Sequence, residues 1–251
     1  MTDTAGEPPD PWVLQYEFTS KRLNRLAAAL DAQTYLEIGV HTGGTFARVQ
    51  VVERTPVDPV FPFPVADHED DVTIFAEMTS DEFFSGLPTG KTYDLIFIDG
   101  LHTFEQAYRD LCNAIVHSHP ATPILMDDTV PSDVYSSLRD PEQAFAFRAA
   151  AGPDGGVAWH GDTFKVVFAV HDFHLALDYR TIVGSGNPQT LVWRSNTGPR
   201  RPLLDSLEKI SRLTYFDMVN QSQVLRECDE ETALRECLEA IGPATGQVPP
   251  A

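Results

Sequence analysis

Short apolar runs alternate with helix-like segments over the first half of the chain. The helix-like segments repeat apolar residues every three or four positions, most clearly in TFEQAYRDLCNAIVHS, residues 103–118. Strands and helices that alternate at this spacing are typical of a parallel sheet covered by helices on both faces. The runs predicted as strands of this doubly wound sheet are TYLEIGV (34–40), RTPVDPV (54–60), VTIFAEM (72–78), YDLIFID (93–99) and TPILMDD (122–128).

Short polar side chains predict where several helices begin, because they can accept hydrogen bonds from the free backbone amides of a first helical turn. Ser20 is expected to cap one helix, and Ser80 is expected to cap a second one whose first turn is acidic. Residues 161–173, GDTFKVVFAVHDF, fit either a helix or a strand. We favour a helix capped by Asp162.

The second half of the chain departs from simple alternation. LDYRTIV (177–183) and TLVWRS (190–195) are joined by turn-forming residues and predict an antiparallel strand pair, and the apolar spacing beyond them is helical. We therefore expect an α/β domain over residues 13–200: a doubly wound, mostly parallel sheet with an antiparallel C-terminal strand pair and added helices. A flexible tail over residues 1–12 precedes it, and a helical extension over residues 201–251 follows it.

Charge and cysteine content narrow the function classes. The chain has 18 basic and 37 acidic residues, a formal charge of −19, which disfavours a nucleic-acid partner. Its three cysteines are an odd number without metal-like spacing, as expected of thiols in a reducing compartment. The first residues do not resemble a signal peptide, and no apolar run approaches membrane length. We expect a cytoplasmic protein without a membrane partner.

The first predicted strand leads into a glycine-containing loop, YLEIGVHTGGTF. Glu37 precedes Gly39 by two positions, and Gly43 and Gly44 open the next segment. Glycine lets backbone amides come close to a ligand at a strand–helix turn. A tight turn without a ligand explains these glycines equally well when they are considered alone.

Two further positions favour a nucleoside ligand at this loop. Asp58 ends the second predicted strand, where a carboxylate can accept hydrogen bonds from ribose hydroxyls. Ser80 and Asp81 follow the third strand, where they could hold an adenine edge. The loop departs from the dinucleotide fingerprint G-x-G-x-x-G, because His41 stands where the second glycine would lie against a pyrophosphate. A nicotinamide cofactor is therefore the less favoured alternative.

Three aspartates end two strands that we expect to be neighbours. Asp99 ends the fourth apolar run, and Asp127 and Asp128 end the fifth. Strands joined by one crossover helix lie side by side, roughly 4.8 Å apart, so the carboxylates should converge at one edge of the sheet. Turn formation or helix capping explains a single aspartate at such a place. A trio repels itself unless protons or a cation neutralise it, which favours a Mg²⁺ or Mn²⁺ site.

His102 lies three residues after Asp99, near the start of the predicted helix. A neutral imidazole beside a cation can accept the proton of a hydroxyl group whose acidity the metal has raised. The alternative is an ordinary histidine at a helix N-terminus. We predict His102 as the general base.

Five blocks resemble, in this order, the motifs of a metal-dependent branch of the class I S-adenosylmethionine-dependent methyltransferases: YLEIGVHTGGTF, VDPVFPF, TSDEFF, FIDGLHTFEQAYRDL and ILMDD. That branch includes the sugar O-methyltransferases that tailor macrolide antibiotics. A weaker resemblance is to the 1-O-methyltransferase type of mycobacterial methylmannose polysaccharide synthesis. The likeness covers roughly residues 33–135 and is most specific in the D-G-L-H and D-D blocks.

The resemblance implies a Rossmann-like fold, S-adenosyl-L-methionine as cofactor, and Mg²⁺ or possibly Mn²⁺ held by Asp99, Asp127 and Asp128. It also implies Asp99 and His102 as the catalytic pair. Two departures from the family pattern are His41 and Thr42 in the glycine loop, and Asp127 where some relatives carry glutamate. Carried over by position, the family implies Glu37, Gly39 and Asp58 as cofactor-binding residues. The full predicted cofactor-binding set adds the loop residues His41, Thr42 and Gly43 and the residues after the third strand, Ser80 and Asp81.

We predict methyl transfer to a hydroxyl of a sugar or small saccharide. The metal would chelate two neighbouring acceptor oxygens, while a lid would exclude water, with Tyr16, Trp159 and Lys165 as candidates for its walls. A catechol-type small molecule is the alternative acceptor, because catechols also chelate through two oxygens. A nicotinamide-dependent oxidoreductase and a binding module without turnover are less favoured. The helices near the C-terminus could pair two chains into a homo-oligomer.

Overall fold

The computed structural model describes residues 11–152, 158–195 and 200–242. Eight strands form one sheet in the order β3-β2-β1-β4-β5-β7-β6-β8 across this part of the chain. The strands are β1 (Thr34–Ile38), β2 (Glu53–Asp58), β3 (Ala76–Glu77), β4 (Leu95–Ile98), β5 (Ile124–Met126), β6 (Leu177–Ile182), β7 (Gln189–Arg194) and β8 (Glu227–Cys228).

Most strand pairs are parallel. Only β7 runs antiparallel to its two neighbours, β5 and β6, and the other pairs, including β1 with β4 and β4 with β5, are parallel. The carboxyl ends of β1, β2, β4 and β5 therefore lie at the same edge of the sheet. The predicted fold, a doubly wound α/β sheet with an antiparallel strand pair, is confirmed.

Helices cover both faces of the sheet, because successive side chains along each strand point to opposite faces. In β4, Ile96 and Ile98 pack in one core, whereas Leu95 and Phe97 pack in the other. The helices are α1 (Pro11–Leu30), α2 (Ser80–Gly86), α3 (Phe104–Val116), α4 (Pro141–Ala151), α5 (Lys165–Phe173), α6 (Leu207–Ser211), α7 (Tyr215–Asn220) and α8 (Glu230–Ile241). None of these helices is long and apolar enough to cross a membrane.

The helices after residue 201 contribute to both cores. Ile210 of α6 and Met218 of α7 join the core that contains α3, and Leu234 and Cys237 of α8 pack with α1 in the other. Residues 1–10 of the predicted tail and residues 243–251 of the predicted extension lie outside the described residues. Helix α1 begins at Pro11.

Three capping predictions were wrong. Ser20 lies inside α1, where its hydroxyl donates to the Tyr16 carbonyl at 2.7 Å. The cap of α2 is Thr79, which forms a reciprocal capping box with Glu82, so Ser80 is the first helical residue. Asp162 caps a different helix, since its Oδ1 accepts the backbone amide of Phe104 in α3 at 2.7 Å.

Two strands differ from the predicted ones. The run at 72–78 forms a paired strand only at Ala76–Glu77, preceded by an isolated bridge between Thr73 and Arg54. Strand β8 was not predicted, because its pairing with β6 depends on where the C-terminal segment packs and not on any apolar period of its own.

Candidate functional site

A cavity of about 770 Å³ opens at the sheet edge where β1, β2, β4 and β5 end. Ligands in open α/β sheets bind at this edge. Four residues of the expected site lie away from the cavity lining: Thr42, Gly43, Asp81 and Asp127. The eight that line it are Glu37, Gly39, His41, Asp58, Ser80, Asp99, His102 and Asp128.

Gly39 is required where β1 and β4 end side by side. Its φ is +83°, and a Cβ atom built there would lie 1.9 Å from the carbonyl oxygen of Asp99. Any other residue would push the two strand ends apart. The glycine therefore keeps the loop after β1 next to the acid that ends β4.

Asp58 holds the loop that follows Gly39. Its Oδ2 accepts the backbone amides of Val40 at 2.8 Å and His41 at 2.9 Å, while its Oδ1 accepts the amide of Val60 at 3.0 Å. His41 has a φ of +47°, which is uncommon for a residue with a side chain. A carboxylate oxygen can accept two hydrogen bonds, so Oδ1 retains capacity for a ligand hydroxyl.

Glu37 is almost fully buried beneath the cavity. Tyr35 donates to its Oε2 at 2.5 Å. Burial raises the pKa of Glu37 to about 8, and the charge of Asp99 acts in the same direction. The carboxyl group is therefore largely protonated at neutral pH.

The remaining predicted cofactor residues have other partners. Thr42 is exposed, with its hydroxyl 3.1 Å from that of Tyr16. Gly43 has a φ of +76° and faces the ring of Phe63. Asp81 is exposed and pairs with Arg109 at 3.1 Å.

Asp99, His102 and Asp128 bring three potential metal-ligand atoms within 4.8 Å of one another. His102 Nε2 lies 2.9 Å from Oδ2 of Asp128 and 3.5 Å from Oδ1 of Asp99. His102 Nδ1 lies 3.0 Å from the carbonyl oxygen of Trp159. Because a carbonyl oxygen can only accept a hydrogen bond, this contact requires a proton on Nδ1. Two carboxylates and an imidazole that face one point are a plausible donor set for a divalent cation.

The charges in this cluster depend on each other. Burial opposes a charge on His102, but Asp128 and then Asp99 hold the pKa of the imidazole well above its usual range. Burial raises the pKa of Asp99 to about 6, although His102 opposes this change. Burial acts in the same direction on Asp128, but His102 outweighs it and lowers the pKa of that carboxyl. A neutral His102 therefore requires another positive charge beside the carboxylates.

Asp127 is not part of this cluster, and its carboxylate has other partners. Its Oδ1 accepts the Asp128 backbone amide at 2.8 Å and the side-chain amide of Asn187, and its Oδ2 accepts Gln189 Nε2 at 3.1 Å. Burial, with the charges of Asp99 and Asp128, raises its pKa well above the usual range. Asp127 and Asp128 contact different groups because consecutive side chains point in different directions at the end of β5. Asp128 has a left-handed φ of +57°, and its side chain faces His102.

Asn187 is a site residue that the sequence analysis missed. Its side-chain amide donates to Asp127 and, at 2.8 Å, to Oδ1 of Asp128. The fully buried Arg22 holds the same loop by donating to the Asn187 carbonyl at 3.2 Å and to Gln189 Oε1 at 2.6 Å. In the sequence, Asn187 lies in a turn-forming segment, and its composition signals only a turn.

The open side of the cavity has aromatic walls. Trp159 stacks on the His102 ring with centroids 4.9 Å apart, and Tyr16 and Phe145 also line the cavity. These contacts agree with the expected positions of Tyr16 and Trp159. Lys165 is not a wall residue, because its buried ammonium donates to Asp162 at 2.8 Å and to the Ser211 carbonyl at 2.7 Å.

Residues 36–129 match a family model described as a methyltransferase domain. The structure resembles cofactor-bound Rv0187 from MTB, with a TM-score of 0.50 at 18% identity over 76% of this chain and 93% of that one. A search of curated proteins finds no match.

Two other solved structures have lower TM-scores. One is the O-methyltransferase from Bacillus cereus in complex with SAH, at 14% identity and a TM-score of 0.48, covering 76% of this chain and 84% of that one. The other is the O-methyltransferase TomG from Streptomyces achromogenes, involved in tomaymycin synthesis and bound to SAM, at 17% identity and a TM-score of 0.44, covering 77% and 83%. The segment that matches the methyltransferase domain model begins within β1, ends just after β5 and includes Asp99, His102 and Asp128. This match confirms the predicted enzyme class, a methyltransferase, over residues 36–129.

Proposed function

We propose that the protein is an S-adenosylmethionine-dependent O-methyltransferase that uses a divalent cation to methylate a hydroxyl of a small acceptor. The observation that carries this proposal is one cavity with two chemically different ends. The loop of Gly39 and Asp58 forms one end, and the cluster of Asp99, His102 and Asp128 forms the other. A methyl donor at the first end and an acceptor at the second would meet within one enclosed space.

The donor end offers contacts suited to a nucleoside with an amino-acid tail. Asp58 and Ser80 both line the cavity. In this proposal Asp58 would accept a ribose hydroxyl, and Ser80 would face the edge of the base. Glu37 lies beneath the loop as a largely protonated group, which can donate as well as accept a hydrogen bond. We assign the cofactor to these residues together with Gly39 and His41.

Asp99 and Asp128 are the residues that would hold Mg²⁺ or Mn²⁺, since carboxylate oxygens suit these hard cations. A cation bound there supplies positive charge that raises the acidity of an acceptor hydroxyl. Asp127 as a further ligand has less support, because amide donors already face both of its oxygens. In this proposal Asp127 supports Asp128 through Asn187.

His102 is proposed as the general base. The Trp159 carbonyl holds its Nδ1 proton, so Nε2 is the nitrogen that faces the carboxylates and the open cavity. In its neutral form, Nε2 would take the hydroxyl proton as the oxygen attacks the methyl group. The stacked Trp159 ring fixes the plane of the imidazole.

We propose a saccharide hydroxyl with a neighbouring oxygen as the acceptor, because two adjacent oxygens could both bind a cation that Asp99 and Asp128 would hold. A catechol-type acceptor is the second candidate. The apolar surfaces of Leu101, Phe145 and Trp159 favour it, since they would pack against a flat ring.

The test is methyl transfer from radiolabelled S-adenosylmethionine to a panel of sugars and catechols, with Mg²⁺, Mn²⁺ or EDTA. We expect labelled product from at least one panel class with metal, and its loss with EDTA. His102→Ala should reduce turnover by at least about a hundredfold, the usual contribution of a general base. His68→Ala is the matched control, because His68 is exposed and lies outside the cavity lining. Transfer that is equal with EDTA would contradict the metal role.

A further inference from the structure

A buried hydrogen-bond network lies under the proposed base-binding end of the cavity. Ser80 donates its hydroxyl proton to Oδ1 of Asp110 at 2.6 Å. Gln106 Nε2 has three acceptors within hydrogen-bond distance: the same Asp110 oxygen at 3.0 Å, Ser80 Oγ at 3.1 Å and Oδ1 of the exposed Asp81 at 3.3 Å. Ser80, Gln106 and Asp110 all belong to the cavity lining, and Asp110 is only 1% exposed.

Surrounding contacts fix the direction of these hydrogen bonds. Arg109 donates to the oxygen of the Gln106 side chain, so the amide nitrogen must face Ser80 and Asp110. The other carboxylate oxygen of Asp110 is buried without a partner among the described residues. Oδ1 of Asp110 therefore receives both donors and holds the Ser80 proton.

The consequence appears at the Ser80 hydroxyl. A serine oxygen has one proton to donate and two lone pairs. The proton is committed to Asp110, and Gln106 Nε2 lies on the acceptor side of the same oxygen. Toward a ligand, the hydroxyl can therefore only accept a hydrogen bond. A ligand group that meets Ser80 must therefore be a donor.

We propose that Asp110 is a positioning residue that makes this end of the cavity selective for a 6-aminopurine over a 6-oxopurine. This inference rests on the proposed function, since it assumes that a purine nucleoside occupies the cavity. The exocyclic amine of adenine can donate to the remaining lone pair of Ser80. A 6-oxo group would bring a second acceptor against it, and a buried unpaired acceptor is costly.

The test is calorimetric titration of S-adenosylhomocysteine and S-inosylhomocysteine. We expect the unmodified protein to bind the inosyl compound at least about tenfold more weakly. In Asp110→Ala no side-chain oxygen remains to accept the Ser80 proton, so the hydroxyl can donate to the ligand and the ratio of the two dissociation constants should fall toward one. Glu105→Ala is the matched control, because the same change on α3 affects a half-exposed carboxylate paired with Arg139. Its ratio should equal that of the unmodified protein.

The ratio distinguishes a positioning role from a merely structural one, since a general loss of structure would weaken both ligands equally. Ser80→Ala removes the hydroxyl itself and should also reduce the ratio, which keeps the test valid where Asp110→Ala fails to fold. An unchanged ratio in Ser80→Ala, or in a folded Asp110→Ala, overturns the inference alone. Failure of the unmodified protein to bind S-adenosylhomocysteine overturns the proposed function and this inference with it.

Discussion

The Nε2 atom of His102 lies 2.9 Å from Oδ2 of Asp128, although the two residues are 26 positions apart in the sequence. His102 lies in the loop after β4, and Asp128 follows the end of β5. Parallel pairing of these strands places Ile98 beside Met126, so the residues that follow them meet at one edge. The left-handed backbone of Asp128 completes the approach. This contact joins the proposed base to a proposed metal ligand.

Asp128→Ala should weaken Mn²⁺ binding by at least about tenfold, because it removes a buried carboxylate from a small donor set. Asp127→Asn should have a smaller effect, since Asp127 faces Asn187 and Gln189. Electron paramagnetic resonance of free Mn²⁺ measures both affinities. Asp71→Asn, at an exposed position, is the control and should bind like the unmodified protein. A larger loss in Asp127→Asn than in Asp128→Ala would restore Asp127 as a main ligand.

Asn187→Ala should destabilise the protein by about 1–3 kcal/mol, because two buried carboxylates lose their shared amide donor. Added Mg²⁺ should recover part of the loss, since a cation would neutralise Asp128. Thermal unfolding with and without Mg²⁺ measures both effects. Asn220→Ala, which is exposed in α7, serves as the control. Equal melting temperatures for the two variants would show that the amide bridge has no stabilising role.

Gly39→Ala should destabilise the protein more than Gly90→Ala. Both glycines have a positive φ, +83° at Gly39 and +88° at Gly90, but a Cβ at Gly90 meets open space. Gly90→Ala therefore measures the backbone strain alone, about 1–2 kcal/mol. Gly39→Ala adds a clash with the Asp99 carbonyl, and chemical denaturation should reveal the difference. Equal losses of stability in the two variants would mean that the ends of β1 and β4 can move apart without cost.

Glu37→Gln should flatten the pH dependence of stability. Burial raises the pKa of Glu37 from 4.5 to about 8, so between these values the folded state binds more protons than the unfolded state. The stability that Glu37 contributes is complete below about pH 4.5 and is lost as pH rises to about 8. Free energies of unfolding across this range measure the slope. If Glu37→Gln loses stability with rising pH as steeply as the unmodified protein, the pH dependence arises from other groups, such as Asp99.

The sequence predicts the placement of backbone positions better than the directions of side chains. Asp99, Asp127 and Asp128 all end neighbouring strands, as strand–helix alternation implies. Which of the last two faces His102 depends on one left-handed φ angle, and no periodic pattern encodes it. Asp162 shows a similar limit, because it caps a helix 58 residues earlier in the chain.

Asn187 could not be found from motif spacing. Its partners lie about 60 residues away, and Arg22 of α1 positions its loop from a third part of the chain. Packing of α1 and α8 over the sheet brings these parts together, with Glu230 of α8 accepting a hydrogen bond from Arg22 at 2.9 Å. Contacts of this range are a property of the assembled fold, whereas the glycine and aspartate motifs are local.

The central claim is that the cavity binds an S-adenosyl compound beside a metal site. Calorimetric titration of S-adenosylhomocysteine and, separately, NAD⁺, each with and without Mg²⁺, tests it most directly. Micromolar binding of S-adenosylhomocysteine and no binding of NAD⁺ are expected, and a separate titration with Mg²⁺ should show metal binding that is weaker in Asp128→Ala. Binding of NAD⁺ without binding of S-adenosylhomocysteine would contradict the account and would require another explanation for Asp99, His102 and Asp128.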